Sequence, residues 1–249
     1  MNLSNAGLQI EMQRVLLANQ KKYIELARLY GNKYTGLRNP NTKKFWNSSH
    51  KGLKKQGLLE KDKLLLILDW LHNKGGNILD IGFGRGELLQ AALKTRRFRL
   101  YGIDISEVAV NETGRKLKGE FKIGRANKLL YGANKFDIIV ALELLEHVSP
   151  DHTFLVLKEI KRVLKKSGSL IISVPLNEDL KNSYILSGHV RSYTSELIRA
   201  EMNIAGFKVL KEKHFYAFKK WYGLKKILRR LILKTRWKPN NILLLLQKK

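Results

Sequence analysis

Acidic and histidine side chains cluster in the stretch Glu143-Leu-Leu-Glu146-His147, and a further histidine, His189, follows in a later segment. If residues 143–147 are helical, the i, i+3 and i, i+4 spacings place Glu143, Glu146 and His147 on one face. Carboxylates and imidazoles bind divalent metals such as Mg²⁺ or Zn²⁺, and His189 would supply a fourth ligand. The alternative is a metal-free pocket in which His147 accepts a proton as general base.

A second chemically informative segment is Asp80-Ile-Gly-Phe-Gly-Arg-Gly86, which follows an apolar run and precedes a helical pattern. Glycines let the backbone turn tightly and approach a ligand, and the start of a helix offers free N–H groups. Asp104 lies 22 residues after Gly82, at the end of the next apolar run. An acid there can accept hydrogen bonds from both ribose hydroxyls of a nucleotide. These features predict a nucleotide-like cofactor, although dinucleotide enzymes share them.

The elements that must hold these residues follow from the apolar pattern. Short β-like runs alternate with helical patterns from residue 77 onward, which predicts a parallel sheet covered by helices on both faces. The predicted strands are 77–81, 99–103, 120–123, 136–141, 169–174, 207–215 and 241–247, and the predicted helices between them are 86–95, 106–117, 152–165 and 194–205. Upstream, the pattern predicts helices within 3–30 and over 60–73, separated by an irregular segment at 31–59.

In order along the chain, several motifs resemble those of class I, Rossmann-like S-adenosylmethionine-dependent methyltransferases. They are Ile78–Leu89, Gly102–Ser106, Phe136–Glu143, Arg162–Gly168 and Ala205–Phe207. Dinucleotide enzymes do not share the later motifs. The resemblance implies a three-layer α/β sandwich whose seven-stranded, mostly parallel sheet has an antiparallel final strand. The resemblance covers residues 77–249, the cofactor-binding domain. We expect residues 1–76 to form a helical cap over the substrate.

The resemblance also implies roles for individual residues on the cofactor side. One position departs from the family pattern: an acid is usual just before the adenine-side residue, whereas Arg125 stands there in this chain. The implied contacts are Gly82, Phe83, Gly84 and Gly86 with the methionine portion, Asp80 with its amino group, Asp104 and Ile105 with the ribose, Ala126 and Asn127 with the adenine, and Leu142 with the methionine side.

On the acceptor side, the Glu-x-x-Glu-His pattern with a distant histidine is similar to two branches of the family. One contains the ubiquinone-pathway O-methyltransferases and the other the small-RNA terminal ribose methyltransferases. In both, a metal near the acceptor hydroxyls would lower their pKa. Leu-Glu-His after strand four is also frequent in family members that bind no metal, where the histidine lines the pocket.

The charge of the chain is concentrated at its two ends. The net charge is +27, of which residues 1–76 carry +9 and residues 211–249 carry +12. Such a field attracts polyanions, namely nucleic acid, anionic lipid or phosphorylated substrates, or it keeps a lysine-rich surface soluble. The sequence has no cysteine, which excludes disulfides, thiol catalysis and cysteine-based zinc sites.

Residues 219–238 form a basic insert between predicted strands six and seven. The insert carries nine basic residues and no acid, with apolar residues at helical spacing and flanking tryptophans. A basic amphipathic helix suits an anionic membrane surface, and it would also suit a nucleic-acid ridge or packing on the protein itself. We expect no signal peptide and a cytoplasmic location, peripheral on the inner face of the membrane.

Together these observations predict methyl transfer from S-adenosylmethionine to an oxygen of a small or lipid-linked acceptor. Two alternatives stay open at the level of sequence. One is an RNA methyltransferase acting on ribose or base. The other is a non-catalytic binding module that retains the fold.

Overall fold

A computed structural model describes Leu26 and residues 28–31, 33–52, 61–216 and 238–249. Seven strands alternate with helices over most of this range. The strands are β1 (Gly76–Ile81), β2 (Phe98–Asp104), β3 (Glu120–Ile123), β4 (Phe136–Leu142), β5 (Leu164–Pro175), β6 (Phe207–Phe215) and β7 (Asn241–Lys248). The helices are α1 (Lys43–Gly52), α2 (Lys61–Trp70), α3 (Glu87–Lys94), α4 (Glu107–Lys116), α5 (Pro150–Val163), α6 (Leu180–Ser187) and α7 (Ser195–Ile204), with a 3₁₀ turn at Leu145–His147.

All seven strands form one sheet in the order β3-β2-β1-β4-β5-β7-β6. The first five strands pair in parallel, and β7 pairs antiparallel with both β5 and β6. The strand order reverses beside β1, so the carboxyl ends of β1, β2 and β4 meet at a crevice where ligands bind in open α/β sheets. This topology confirms the predicted Rossmann-like fold with an antiparallel final strand.

Two hydrophobic clusters cover the two faces of the sheet and make the fold three-layered. Successive residues of β4 belong to the two clusters in turn, because side chains alternate between the two faces along a strand. Ile139 and Ala141 pack with α5 and α7 in one cluster, whereas Ile138 and Val140 pack with α2, α3 and α4 in the other. The central strands are therefore buried on both sides, which fixes the sheet edge that carries the site.

The structure confirms each predicted strand and the four helices predicted between strands, with small changes at their ends. It corrects the irregular assignment of 31–59, since α1 lies there, and it adds α6 in a segment for which no helix was predicted. Most of the helix predicted within 3–30 and nearly all of the insert at 219–238 lie outside the described residues. Within the described part of the chain, every helix is too short or too polar to span a bilayer.

A buried ionic network attaches the N-terminal residues to the sheet domain. Arg191 and Glu201 are fully buried and pair at 2.8 Å, and the hydroxyls of Tyr30 and Tyr193 donate to the same carboxylate. Buried charges persist where each group is paired and hydrogen-bonded. Tyr34 bridges to Arg191 through the backbone, so the chain is held at this point before it crosses the crevice.

Candidate active site

A cavity of about 1080 Å³ runs along the carboxyl ends of β1, β2, β4 and β5. The glycine-rich segment 82–86 borders one end, His147 and His189 border the other, and residues of α1 lie over it. Small-molecule sites occupy about 300–1,000 Å³. This cavity therefore has room for a nucleotide-sized cofactor and a second small molecule side by side.

The glycine-rich turn after β1 adopts the backbone conformation that its sequence predicts. Gly82, Gly84 and Gly86 have φ values of 73°, 53° and 70°, in the left-handed region that other residues rarely adopt. The amide of Gly82 donates to the carbonyl of Ile103 at 2.8 Å, which ties the turn to β2. Gly86 is the N-cap of α3, so the free N–H groups of that helix lie at the border of the cavity.

Phe83 borders the cavity, but its ring packs in the core beneath the turn. The side chain is buried, and its ring meets that of Phe121 edge-on with centroids 5.7 Å apart. Gly102 makes this packing feasible, because a Cβ at that position would lie 2.6 Å from a ring carbon of Phe83. The aromatic residue thus supports the shape of the turn from below.

Two buried carboxylates, Asp80 and Asp104, stand beside this turn. Asp104 accepts backbone N–H groups of Gly84 at 2.9 Å and of Ser106 at 2.8 Å. Burial raises the pKa of Asp104 above its ordinary value, although these hydrogen bonds and His50 oppose the shift. Burial, with the neighbouring Asp104, raises the pKa of Asp80 to about 8. Two buried acids so close together favour a positively charged ligand.

The other residues predicted for the cofactor also border the cavity. Beyond β2 they are Ile105, Ala126 and Asn127, and at the end of β4 the bordering residue is Leu142. Arg125 borders the cavity as well. From above, Asn47 of α1 accepts a hydrogen bond from Ser106 at 2.9 Å, which fixes α1 over this end of the cleft.

Glu143 does not share a face with Glu146 and His147, and the helix assumed over 143–147 is wrong. Only Leu145–His147 forms a helical turn, and Glu143 has a left-handed φ of 49°. A non-glycine residue in this region carries strain of about 1–3 kcal/mol, which is found most often at functional sites. The left-handed residue separates the carboxylate of Glu143 from the 3₁₀ turn, so Glu143 is not in the group formed by the other three candidates.

The Glu143 carboxylate is held instead by Lys63, Ser173 and Asn241. Lys63 is buried in α2 and its Nζ lies 3.1 Å from Glu143 Oε1, while the Asn241 amide donates to both carboxylate oxygens at 3.0 and 2.9 Å. Ser173 donates a short hydrogen bond from β5. Burial opposes ionisation, yet Lys63 and these donors hold the pKa of Glu143 below its ordinary value. The cluster joins α2 to the ends of β4, β5 and β7.

Glu146, His147 and His189 come together as predicted, with one ligand atom from each within 4.8 Å of the others. Glu146 is fully buried, and neither carboxylate oxygen has a hydrogen-bond partner among the described residues. Burial, and then repulsion from Glu143, raises the pKa of Glu146 well above its ordinary value. A buried carboxylate left without partners fits a cation, so these three residues are able to hold a divalent metal.

Both imidazoles use Nδ1 for a hydrogen bond. Nδ1 of His147 lies 3.2 Å from the carbonyl of Gly188, and Nδ1 of His189 lies 2.7 Å from Glu178. Each Nδ1 of a neutral ring therefore carries the proton, which leaves Nε2 with a lone pair. Burial and the nearby His189 lower the pKa of His147 to about 3, so its ring is neutral at physiological pH.

Residues before and within α1 close the cleft above these histidines. The side-chain amides of Asn39 and Asn41 donate to the carbonyl of His147 at 3.0 and 3.2 Å, and Asn41 also donates to Gly188 at 2.8 Å. Trp46 meets the ring of His147 edge-on at 4.8 Å between centroids. The covering segment thus lies against the acceptor end and is held there by these contacts.

Comparison with known proteins identifies the family. Residues 54–212, well over half of the chain, match the model of a methyltransferase domain. The chain belongs to the S-adenosylmethionine-dependent methyltransferase family. This match confirms the family that the motifs from Ile78 to Phe207 predict.

Curated relatives carry the name ubiquinone biosynthesis O-methyltransferase. The protein from Coxiella burnetii is 33% identical over 142 residues, which cover 55% of this chain and 58% of the relative. The protein from Pelagibacter ubique is 36% identical over 119 residues, which cover 46% and 47%. The chain thus spans less than two thirds of the length of these relatives.

Solved structures show the same fold. A structure described as a SAM dependent methyltransferase from Archaeoglobus fulgidus matches with a TM-score of 0.58 and 20% identity, covering 74% of this chain and 94% of that one. At this identity the likeness concerns the fold alone.

Several site residues of this methyltransferase were missed from the sequence, namely Trp46, Lys63, Glu178 and Asn241. A signal for Lys63 was present, because the period of α2 places it on the same buried stripe as Ile67 and Trp70. A charge on an apolar stripe indicates a buried partner. Glu178 and Asn241 gave no such signal, since only the folded chain brings them to His189 and Glu143.

Proposed function

We propose that this chain transfers a methyl group from S-adenosylmethionine to a hydroxyl oxygen of a small or lipid-linked acceptor. The observation that carries the proposal is the single cavity that joins the glycine turn and its two acids to Glu146, His147 and His189. The names of the curated relatives support oxygen as the acceptor atom.

On the donor side, we assign the cofactor contacts to the residues that border the glycine-rich end. The cofactor supplies an activated methyl group on a sulfonium, and the carboxylates of Asp80 and Asp104 match its positive charge. Asp104 keeps lone pairs for ribose hydroxyls beyond its two backbone donors. The backbone of Gly82, Phe83, Gly84 and Gly86 would hold the methionine portion together with Leu142, and Ile105, Ala126 and Asn127 would flank the adenosine.

On the acceptor side, we propose that Glu146, His147 and His189 handle the acceptor hydroxyl. Their donor set fits a divalent metal, which when bound would lower the pKa of that hydroxyl. Two imidazoles and one carboxylate suit Zn²⁺ better than Mg²⁺, which prefers oxygen ligands. Without a metal, the Nε2 lone pairs accept the proton directly. Glu143, a predicted member of this group, serves instead in the cluster with Lys63.

The residues around the cleft supply the remaining requirements of methyl transfer. The reaction needs the acceptor oxygen, the methyl carbon and the sulfur in line, and it needs water excluded. Trp46, Asn39 and Asn41 cover the acceptor end through their contacts with His147. Holding both ligands in one cavity is thus the main contribution that we propose for this chain.

The activity is tested by calorimetry with S-adenosylmethionine, followed by a screen with labelled cofactor against quinol precursors, lipid extracts, glycans and RNA. We expect saturable binding and label on a hydroxyl of a small or lipid-linked acceptor. Absence of saturable binding would instead favour the non-catalytic module. Label found only on RNA would show that the acceptor is RNA and not a small or lipid-linked molecule. Asp104→Asn should abolish binding, whereas the exposed Asp69→Asn should leave it unchanged.

The role of a metal is tested by exhaustive chelation and titration with Zn²⁺ alone. We expect binding to the wild-type chain, loss of binding in Glu146→Gln, and retained binding in Glu143→Gln. Full activity after chelation would show that the histidines work without a metal.

For the basic insert, we propose contact with an anionic membrane surface that brings a lipid-linked acceptor to the cleft. The support is the cationic, amphipathic pattern of residues 219–238, in which each basic side chain near anionic lipid contributes about 1 kcal/mol. Reversing the charges of Lys225, Lys226, Arg229 and Arg230 should abolish flotation with anionic liposomes at physiological salt. The matched control reverses Lys94, Arg97, Arg99 and Lys116, which are exposed in the sheet domain. Binding to RNA in a gel shift, without liposome binding, would contradict the membrane assignment.

A further inference from the structure

The two histidines of the acceptor end have different hydrogen-bond partners at Nδ1. For His147 the partner is the backbone carbonyl of Gly188, which is neutral. For His189 it is the carboxylate of Glu178, at 2.7 Å. A carboxylate accepts a stronger hydrogen bond from an N–H group than a carbonyl does, because the bond is charge-assisted. The tautomer of His189 is therefore set by a side chain that mutation can remove.

Glu178 is itself firmly placed. The preceding residue, Asn177, has a left-handed φ of 57°, and its backbone and side-chain N–H groups donate to the carbonyls of Tyr193 at 2.9 Å and Pro239 at 3.1 Å. Ser183 of α6 donates to the other Glu178 oxygen at 3.3 Å. A strained residue held from two sides persists only where the surroundings over-determine it. The loop thus fixes where the Glu178 carboxylate can lie.

We propose that Glu178 is a positioning residue that acts through His189. It holds the proton of His189 on Nδ1 and so keeps the Nε2 lone pair available, in a ring grouped with Glu146 and His147, whether Nε2 takes the acceptor proton or binds a metal. Outer carboxylates that orient a working histidine in this way contribute about 10–100-fold to metal affinity or activity. The inference rests on the proposed function for its kinetic consequence, but the tautomer of His189 does not depend on it.

The orienting effect is measured by long-range ¹H–¹⁵N spectra of the imidazole nitrogens in the full chain without ligands. In the wild type we expect His189, assigned by the loss of its signals in His189→Gln, to be the tautomer protonated at Nδ1. Glu178→Ala should shift it to a mixture with the Nε2-protonated form. Ser183→Ala is the matched control, since it removes the other partner of the same carboxylate. An unchanged tautomer in Glu178→Ala would overturn the proposal.

The consequence for the reaction is measured with the acceptor that the screen identifies. Glu178→Ala should lower kcat about 10–100-fold and leave the KM for S-adenosylmethionine unchanged, because the cofactor lies at the other end of the cavity. Glu178→Gln, which keeps the shape of the side chain, should fold normally and show an intermediate loss. A tautomer shift without a fall in kcat would also overturn the proposal. If the wild type methylates no acceptor, the proposed function fails, and the tautomer measurement decides the orienting role of Glu178 by itself.

Discussion

At the scale of single residues, the protonation of Asp80 is linked to cofactor binding. The carboxyl is buried beside Asp104 and its pKa is raised to about 8. In the empty protein Asp80 is therefore mostly protonated at neutral pH, whereas a cationic ligand favours its ionised form. At pH values below this raised pKa, ligand binding must therefore release a proton from Asp80.

The first prediction is that S-adenosylmethionine binds more tightly as the pH rises. The dissociation constant should fall about tenfold from pH 6 to pH 7 and change little above pH 9, since one unit of pKa corresponds to a factor of about ten. Calorimetry across this range measures the effect. Asp80→Asn should bind weakly at every pH, and a dissociation constant in the wild type that is independent of pH would contradict the assignment.

The raised pKa of Glu146 leads to a second prediction, which concerns the stability of the protein. Its folded pKa is raised, so its contribution to stability is full below the ordinary pKa of a glutamate and is lost as the pH rises through the folded value. Without metal, Glu146→Gln should be more stable than the wild type at pH 8, because the variant removes a carboxylate whose ionisation the buried site disfavours. Denaturant unfolding in the presence of a chelator measures this difference.

Two comparisons make the Glu146 experiment specific. The exposed Glu112→Gln should not change the stability and serves as the control. Zn²⁺ should stabilise the wild type and not Glu146→Gln, because a ligand stabilises only the state that binds it. A Gln variant that is less stable than the chelated wild type would argue that Glu146 is already satisfied in the empty site.

At the scale of elements, α2 is joined to the sheet edge through Lys63 and Glu143. Lys63→Met should lower the free energy of unfolding by about 1–2 kcal/mol, which is less than for a fully buried pair because the Glu143 side chain is half-buried. The Glu143 pKa is held below its ordinary value, so the stability that the pair contributes is present at neutral pH and is lost as the pH falls below that value. Urea unfolding at pH 7 and pH 4 measures both effects.

The double variant Lys63→Met/Glu143→Gln tests whether the two side chains act as a pair. It should recover part of the loss, because no carboxylate is then left without its cation. Additive losses in the double variant would show that each side chain acts separately.

At the scale of the whole molecule, the net charge of +27 leads us to predict that salt increases the stability of the protein. Repulsion among so many cationic groups destabilises the compact state, and salt screens it. Raising sodium chloride from 20 to 300 mM should therefore increase stability by about 1 kcal/mol, which corresponds to a rise of about 2–4 °C in Tm. Potassium chloride should act equally, and a fall in Tm would show that ion pairs outweigh repulsion.

The alternation of apolar and polar residues was sufficient to predict the sheet and most of its helices. It failed at α1 and α6. Helix α1 is rich in Lys and Ser, and the sequence of α6 has little amphipathic pattern. Both depend on capping groups and on neighbouring residues. The backbone N–H of Phe45 donates to the hydroxyl of Thr42, and the side chain of Asp179 caps α6. Short helices of weak propensity form when tertiary contacts and caps support them.

The sequence by itself determined the family and the mostly parallel sheet with its antiparallel final strand, and it predicted a group of Glu143, Glu146, His147 and His189 of which the structure brings the last three together. These properties depend on local patterns and on where strands end. Only the tertiary structure decided that Glu143 pairs with Lys63, that the carboxylate oxygens of Glu146 lack hydrogen-bond partners among the described residues, and that Glu178 lies beside His189. The reason is physical: burial, pKa and hydrogen-bond partners arise from contacts between distant segments, and a single left-handed residue after β4 redirects a carboxylate that regular helical spacing would have placed in the site.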